Sequence, residues 1–276
     1  MGPRRGADGM KHLAHLIRRA AMCVSAASIA GCVQTHFDLA TRHQDYTFTS
    51  TEKEVAVGRR IAREVEEELT LVQDEPMQER VRSIGQRIAA VCDRREILYH
   101  FGVVKEAEVN AFSLPGGYIY LHEGLVKRAD SDDELAGVIA HEVAHVAARH
   151  SIKRYESSLG LQLAQMATIA TRQGELVQGM SLAASATQLA YAREDELDAD
   201  RLAVKYLKAA GFDPEGILTF LMKLQAVHQE KTHYLPRGVV RPHYGMTHPF
   251  VADRLRAVKE ELFGVADYLD YLNSPE

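Results

Sequence analysis

Apolar residues recur at helical spacing through most of the chain after residue 50. Thr51 and Glu54 have the spacing of a capping box, which predicts that a long helix begins at this point. Asp74-Glu75-Pro76 predicts the start of a second helix. The apolar stripe of the first helix is formed by Val55, Ile61, Val65 and Leu69, and that of the second by Val81, Ile84, Ile88 and Val91.

The pattern then changes to short segments rich in Tyr, Phe, Val and Leu, at residues 98–104, 109–112 and 118–121. Such segments are typical of strands. Pro115-Gly116-Gly117 separates the last two and indicates a turn. The sequence therefore predicts a small sheet just before the next helix.

That next helix is predicted to begin at Ser131, which forms a capping box with Glu134. Asp132 and Asp133 place negative charge at the positive end of the helix dipole. A helix with so many apolar positions belongs in a core. Its apolar members are Leu135, Val138, Ile139, Val143 and Val146.

The rest of the chain is also mainly helical in pattern. Residues 157–192 are interrupted by Arg172 and Glu175, which favours packed helices over membrane spans. Further helices are predicted over residues 191–210 and 251–263. Another begins at Asp213-Pro214, and residues 228–246 are predicted to form a loop. The fold class is therefore α+β, mainly helical, with a small sheet packed beside the helix that follows it.

The first 31 residues differ from the remainder, because basic residues precede an Ala- and Ser-rich apolar run. This order is typical of a secretory signal. Ile29-Ala30-Gly31-Cys32 resembles the lipobox of bacterial lipoproteins and predicts a lipid on Cys32; an uncleaved anchor and a simple signal peptide are the alternatives. The predicted organisation is a signal peptide at 1–31, a tether at 32–50 and one domain at 51–276.

The composition is that of a globular protein, with 46% hydrophobic and 26% charged residues. A formal net charge of −5 argues against nucleic-acid binding. Removing residues 1–31 would leave −9. With Cys23 removed and Cys32 lipidated, Cys92 has no partner. No internal disulfide is predicted, and Cys92 is expected to be a buried apolar residue on a helix.

The sequence His141-Glu142-Val143-Ala144-His145 is an HExxH motif in the core helix. Its two histidines are about 40° apart around the helix and about 6 Å apart along it. Both imidazoles can therefore reach one ion, with the Glu142 carboxylate beside it. This arrangement is typical of a metal-bound water next to a general base. The alternative is a surface helix with two unrelated histidines.

A catalytic zinc needs a third protein ligand. Ser151 stands where one class of zinc peptidase has a histidine, and His150 would point to the opposite face of a continuous helix, as a structural or surface residue. A later helix offers Glu196 and Asp200, which share a face, so that one can bind metal and the other can accept a histidine N–H. Asp195 and Asp198 are interpreted as surface acids.

The HExxH motif together with Arg193-x-x-Glu196-x-x-Ala199-Asp200 resembles the HtpX/BepA-type zinc metallopeptidases, the group that also contains the CAAX prenyl proteases. The resemblance covers residues 51–256. It implies a zincin-like fold and one Zn²⁺ per chain. The implied ligands are His141, His145 and Glu196, with Glu142 as the base and Asp200 orienting a ligand histidine.

Two further segments match this family. Asn110-Ala111-Phe112 matches an edge strand that pairs with extended substrates, a form of β-augmentation. Thr247-His248-Pro249 matches a segment whose histidine lies near the metal. The resemblance implies that His248 either stabilises the oxyanion or occupies the open metal position in a latent form.

The resemblance implies a zinc endopeptidase that hydrolyses unfolded or misassembled envelope proteins. The layout is closest to the LoiP-like lipoprotein form, with the peptidase domain alone, anchored by lipid and facing the periplasm. Val33 after the lipidated cysteine favours the outer over the inner membrane. The alternative function is a lipid-anchored chaperone or assembly factor that binds extended segments with little proteolysis. Glu142 argues against it, because a pure binder needs no base.

Overall fold

The computed structural model describes residues 34–37, 44–159, 191–232 and 247–264. The predicted signal peptide and the predicted lipidation site at Cys32 lie outside these ranges. So do residues 160–190 of the predicted helical stretch and residues 233–246 of the predicted loop. Residues 228–232 of that loop are helical.

The described residues form helices around one small sheet, which confirms the α+β prediction. The helices are α1 (Thr51–Glu68), α2 (Glu75–Ala89), α3 (Glu123–Arg128), α4 (Asp132–Ala147), α5 (Arg193–Ala210), α6 (Glu215–Thr232) and α7 (Val251–Phe263). The strands are β1 (Gln34–Phe37), β2 (Gln44–Thr47), β3 (His100–Val104), β4 (Ala111–Leu114) and β5 (Tyr118–His122). Residues 150–159, directly after α4, are also helical.

Helix α1 begins where the pattern predicts, but its cap is different. Ser50 is the N-cap, and its hydroxyl accepts a hydrogen bond from the Lys53 backbone N–H at 3.4 Å. The predicted capping box between Thr51 and Glu54 is wrong. The Glu54 carboxylate is buried and instead accepts hydrogen bonds of 2.9 and 2.8 Å from the Arg94 guanidinium, because a buried charge needs an opposite charge.

Helix α2 has the predicted start, since Asp74 accepts a hydrogen bond from the Met77 backbone N–H at 3.0 Å. The helix ends at Ala89, so Val91 and Cys92 lie in the turn that follows. Cys92 is buried, as predicted, but it is not on a helix. Burial raises the pKa of its thiol, which keeps it protonated and unreactive.

The three-stranded sheet has the order β3-β5-β4, with β5 parallel to β3 and antiparallel to β4. Pro115–Gly117 connects β4 to β5, as predicted. Helix α1 packs directly on this turn: a side chain at Gly58 would place Cβ only 1.9 Å from the Pro115 carbonyl oxygen. The sheet and the first helix are thus held in close backbone contact.

Strands β1 and β2 pair with each other, in antiparallel register from Gln34↔Thr47 to Phe37↔Gln44. They lie within the stretch that the sequence predicts as a tether. Pairing satisfies their backbone hydrogen bonds without the alternating apolar pattern that marks a half-buried strand. None of the helices in the described ranges is long and apolar enough to cross a membrane.

Helix α4 is the centre of the fold, and every residue from Glu134 to Ala147 is buried. It packs against α2, α5, α6 and β4. Ser131 caps it by accepting a hydrogen bond from the Glu134 backbone N–H at 3.2 Å. The Glu134 carboxylate does not complete the capping box, because it accepts from the Asp130 N–H and from Lys223. The side chains of the HExxH motif on α4 are therefore held rigidly inside the core.

Candidate metal centre

The HExxH motif lies on the buried helix α4. His141, Glu142 and His145 have no solvent-exposed surface. The Nε2 atoms of His141 and His145 are 3.0 Å apart, as expected for histidines one helical turn apart that face the same point. The surface-helix alternative is thereby excluded.

Helix α5 brings two carboxylates to these histidines. The Glu196 carboxylate oxygens lie 3.5 Å from His141 Nε2 and 3.4 Å from His145 Nε2. Asp200, one turn later, lies on the other edge of His141, with Oδ1 2.8 Å from Nδ1. The two acids therefore face different nitrogens of the same imidazole.

His248 enters the same cluster from the segment before α7. Its Nδ1 lies 3.3 Å from His141 Nε2 and 3.1 Å from Glu196 Oε1. Its Nε2 lies 3.3 Å from Glu142 Oε1. Ligand atoms of His141, His145, Glu196 and His248 all lie within 4.8 Å of one another, so these four residues form one buried group able to hold a metal ion.

The donor set fits zinc in both chemistry and spacing. Imidazole nitrogens and a carboxylate oxygen are zinc ligands, with bonds of about 2.0–2.2 Å. Tetrahedral bonds of that length place ligand atoms roughly 3.3 Å apart. The separations of His141 from His145, His248 and Glu196, and of Glu196 from His145 and His248, run from 3.0 to 3.5 Å. Both carboxylate oxygens of Glu142 are buried, and among the described residues they have the 3.3 Å contact with His248 Nε2 but no hydrogen bond of normal geometry. Such a carboxylate suits a bound water molecule.

Charges within the cluster strongly bias its protonation. Burial and the Arg254 charge act to lower the pKa of His141, but the carboxylates of Asp200 and Glu196 outweigh them and raise it to about 9. Burial and the neighbouring His141 lower the pKa of His145 well below its ordinary value. Burial opposes ionisation of Glu196, yet His248 and Arg254 hold its pKa well below the ordinary value. A metal ion bound at His141 Nε2 would take the place of a proton on that nitrogen.

Arg254, on α7, is a buried member of the site that the sequence patterns did not single out. Its guanidinium donates two hydrogen bonds of 2.8 Å to the Asp200 carboxylate. Nη1 lies 3.0 Å from Glu196 Oε2. Burial acts to raise the pKa of Asp200, but the charges of Arg254 and His141 lower it. No local motif marks Arg254, because its partners lie more than fifty positions away in the chain.

Tyr191 is a second residue that the sequence did not single out. Its ring stacks on the His145 ring at 3.7 Å between centroids, with planes 11° apart. Its hydroxyl hydrogen-bonds with Ser113 of β4 at 3.1 Å and with Ser151 at 3.2 Å. The Arg154 guanidinium lies 4.0 Å from the ring centroid. Tyr191 thus connects the sheet to one histidine of the motif.

The structure corrects the position of His150. Helix α4 ends at Ala147, and Arg149 adopts a left-handed conformation with φ of 58°. The helix is therefore not continuous, and His150 turns back toward the site instead of pointing to the opposite face. His150 is buried, and its Nδ1 lies 3.0 Å from His145 Nδ1.

Asp195 is also not an ordinary surface acid. It is partly buried at the start of α5, where its carboxylate accepts a hydrogen bond from the Ala192 backbone N–H. Its Oδ1 lies 3.4 Å from His150 Nε2. Asp198 is exposed to a similar degree as Asp195, but it pairs with Arg201 on the outer side of the helix, as expected for a surface acid.

The segment matched to a substrate strand is buried in this structure. Strand β4 starts at Ala111, so Asn110 precedes it, and Asn110, Ala111 and Phe112 are all less than a tenth exposed. The Ala111 N–H donates to Asn110 Oδ1, which also accepts from the Thr247 hydroxyl at 3.2 Å. The Ser113 carbonyl accepts a hydrogen bond from Arg154 at 3.0 Å. Backbone groups of this strand that could pair with a substrate are therefore already hydrogen-bonded to side chains.

Residues 75–262 match Peptidase family M48, a range that contains every residue of the metal cluster. The chain belongs to this family of zinc metallopeptidases. The resemblance found in the sequence is confirmed, and zinc is the metal that the M48 family uses.

Named relatives agree with the M48 assignment. The chain is 28% identical over 238 residues to the beta-barrel assembly-enhancing protease of Yersinia pestis, covering 81% of this chain and 48% of that protein. It is 33% identical over 154 residues to the mitochondrial metalloendopeptidase OMA1 of Arabidopsis thaliana (56% and 31%). It is 29% identical over 123 residues to the metalloprotease YcaL of Escherichia coli (43% and 48%). The chain spans less than half the length of each of these relatives.

Proposed function

We propose that this chain is a zinc-dependent endopeptidase that hydrolyses peptide bonds of unfolded or misassembled envelope proteins. The observation that carries the proposal is the fully buried Glu142 carboxylate, whose Oε1 lies 3.3 Å from Nε2 of His248, a member of the buried group formed with His141, His145 and Glu196. A general base next to a metal is needed for hydrolysis and has no use in a structural zinc site. Membership of the M48 family supports the same conclusion.

His141, His145 and Glu196 would hold one zinc ion per chain. Bound zinc would polarise the scissile carbonyl and lower the pKa of a water molecule towards about 7. Asp200 accepts the Nδ1–H of His141 and thereby leaves the Nε2 lone pair for the metal.

Glu142 is the proposed general base and acid. It takes a proton from the attacking water as the water oxygen bonds to the carbonyl carbon, and then passes that proton to the departing amine nitrogen as the C–N bond breaks. The products are a carboxylic acid and an amine, which at neutral pH exchange a proton to give a carboxylate and an ammonium ion. Burial of Glu142 keeps bulk water away from this proton transfer.

His248 decides whether the site is open. A catalytic zinc keeps one position for water or substrate. Because His248 Nδ1 lies at ligand spacing from His141 and Glu196, we propose that it is the fourth ligand of a latent form. The Asn110 side chain accepts from the Ala111 N–H, and the Arg154 side chain donates to the Ser113 carbonyl. Both contacts are consistent with the same closed state.

The proposed substrates are extended protein segments that pair with Asn110 and with the first residues of β4, Ala111 and Phe112, once this strand is uncovered. Relatives carry the name beta-barrel assembly-enhancing protease, which supports envelope proteins as the substrate class. Consistent with this, we propose that residues 1–31 are a signal peptide and that Cys32 carries a lipid. The protein would then face the periplasm from the membrane, with the outer membrane favoured.

Replacing Glu142 tests the proposal. Full-length Glu142→Gln should retain one zinc per chain and lose about 10²- to 10⁴-fold in the rate of casein cleavage, since that is the usual contribution of a general base. Each rate should be measured with and without a chelator, both alone and in a His248→Ala background, so that latency does not hide the effect. Glu194→Gln, an exposed acid on α5, should cleave at the unmodified rate.

A Glu142→Gln protein that cleaves as fast as the parent would refute the assignment. Cellular complementation separates the peptidase from the alternative chaperone. If Glu142→Gln fully replaces the parent protein in cells, binding of extended segments, and not hydrolysis, is the function.

A further inference from the structure

His145 has a hydrogen-bonded partner that lies outside the group of candidate metal ligands. We infer that His150, supported by Asp195, is a positioning residue that fixes the tautomer and ring orientation of His145. The inference rests on the proposed role of His145 as a zinc ligand. It assigns a function to a histidine that is not itself within ligand spacing of the metal.

The backbone turn at Arg149 creates this contact. A non-glycine residue with φ of 58° is uncommon and persists only where its surroundings hold it. The Arg149 side chain is held by the hydroxyls of Thr47 and Thr51. The turn ends α4 and directs the next residue, His150, back against His145, with ring centroids 5.1 Å apart.

The geometry allows one consistent arrangement of protons. His145 Nε2 lies 3.0 Å from His141 Nε2 and 3.4 Å from Glu196, so this nitrogen faces the metal position and must carry a lone pair. Nδ1 of His145 then carries the hydrogen and donates it to Nδ1 of His150 at 3.0 Å. The remaining hydrogen of His150 is then on Nε2, which lies 3.4 Å from Asp195 Oδ1.

The two histidines of the motif are thus supported by different chemistry. His141 donates directly to the Asp200 carboxylate, whereas His145 donates to a neutral imidazole. The cluster already contains three buried carboxylates, those of Glu142, Glu196 and Asp200. A further carboxylate in direct contact with His145 would add uncompensated negative charge, which is costly in a buried site. The neutral His150 imidazole can orient the His145 ring without that charge. The Asp195 carboxylate lies on the far side of His150, where it is partly exposed to solvent.

Three full-length variants test the inference by zinc affinity, measured in competition with a chromogenic chelator. His150→Leu removes the acceptor and should weaken zinc binding about 10- to 100-fold, the usual effect of losing an outer partner of a metal ligand. His150→Gln keeps both an acceptor and a donor, so its affinity should stay within about threefold of the parent. Asp195→Ala should weaken zinc binding by about threefold, which is less than the effect of His150→Leu, because it removes only the partner of His150 and leaves the acceptor for His145 in place.

Cobalt spectra give a readout that a purely structural role would not affect. The visible bands of the Co²⁺-substituted protein should shift in His150→Leu and return in His150→Gln, since they report the ligand field at His145. His122→Leu is the matched control. It removes another buried histidine, on β5 and outside the cluster, and should leave zinc affinity unchanged.

Two results would overturn the inference: His150→Leu binding zinc as tightly as the parent, or His150→Gln binding as weakly as His150→Leu. Zinc-free thermal unfolding checks that each variant is folded. If His150→Leu does not fold, Asp195→Ala decides the question, because Asp195 is partly exposed and its replacement is better tolerated. Unchanged zinc affinity in Asp195→Ala would then exclude a role for the contact between His150 and Asp195. A parent protein that binds no zinc would refute the proposed function itself.

Discussion

The Arg254 guanidinium donates two parallel hydrogen bonds of 2.8 Å to the Asp200 carboxylate, and both side chains are almost completely buried. A third nitrogen of the same guanidinium lies 3.0 Å from Glu196 Oε2. Helix α7 therefore supplies the positive charge that compensates two carboxylates of α5. The position of α7 is thereby linked to the metal site.

Replacing Arg254 with methionine should destabilise the zinc-free protein by about 3–5 kcal/mol, because it removes the buried guanidinium that lies against both the Asp200 and the Glu196 carboxylates. Urea unfolding measures the loss. Added zinc should recover part of it, since the ion compensates Glu196. Arg256→Met, on the same helix, should cost at most about 1 kcal/mol, because Arg256 pairs with Asp253 in a more exposed position. Equal stability of the two variants would contradict the compensating role of Arg254.

Replacing His248 with alanine separates its two possible roles. If His248 is the fourth ligand of a latent form, His248→Ala should bind zinc more weakly and cleave casein several-fold faster, because one metal position becomes open to water and substrate. If His248 stabilises the oxyanion, zinc affinity should be unchanged and cleavage should fall about 10²- to 10³-fold. The distances of 3.1 and 3.3 Å to Glu196 and His141 favour the first outcome. His100→Ala, at an exposed site, is the control.

His122 should make the zinc-free protein sensitive to mild acid. Burial lowers the pKa of His122 from the ordinary 6.5 of a histidine to about 4, so between these values the unfolded chain binds a proton that the folded chain does not. Its stabilising contribution is therefore present above pH 6.5 and is lost as the pH falls to about 4. In His122→Gln, the free energy of unfolding should fall about 2 kcal/mol less over this range. Chemical unfolding at several pH values checks this, and parallel curves would contradict it.

Much of the fold could be predicted because its signals are local. Asp74 and Ser131 cap the helices that they were predicted to cap, and Gly211 ends α5 in a left-handed conformation. Helical spacing alone brings His141 to His145 and Glu196 to Asp200. Where a local signal failed, a distant partner was the cause: Glu54 has the spacing of a capping residue, but Arg94, forty positions away, holds its carboxylate.

By itself, the sequence determined which face of each helix is apolar and which residues can act as metal donors, because helical geometry fixes relations over three or four positions. Only the tertiary structure decided which donors meet. It placed His248 among the ligands and Arg254 beneath the two acids, and it turned His150 back onto His145. These contacts depend on the burial of charges and on one left-handed residue, and both are set by packing between distant segments. The HExxH motif can therefore be recognised from neighbouring residues in the sequence, whereas the contacts of His150, Arg254 and His248 with the site cannot.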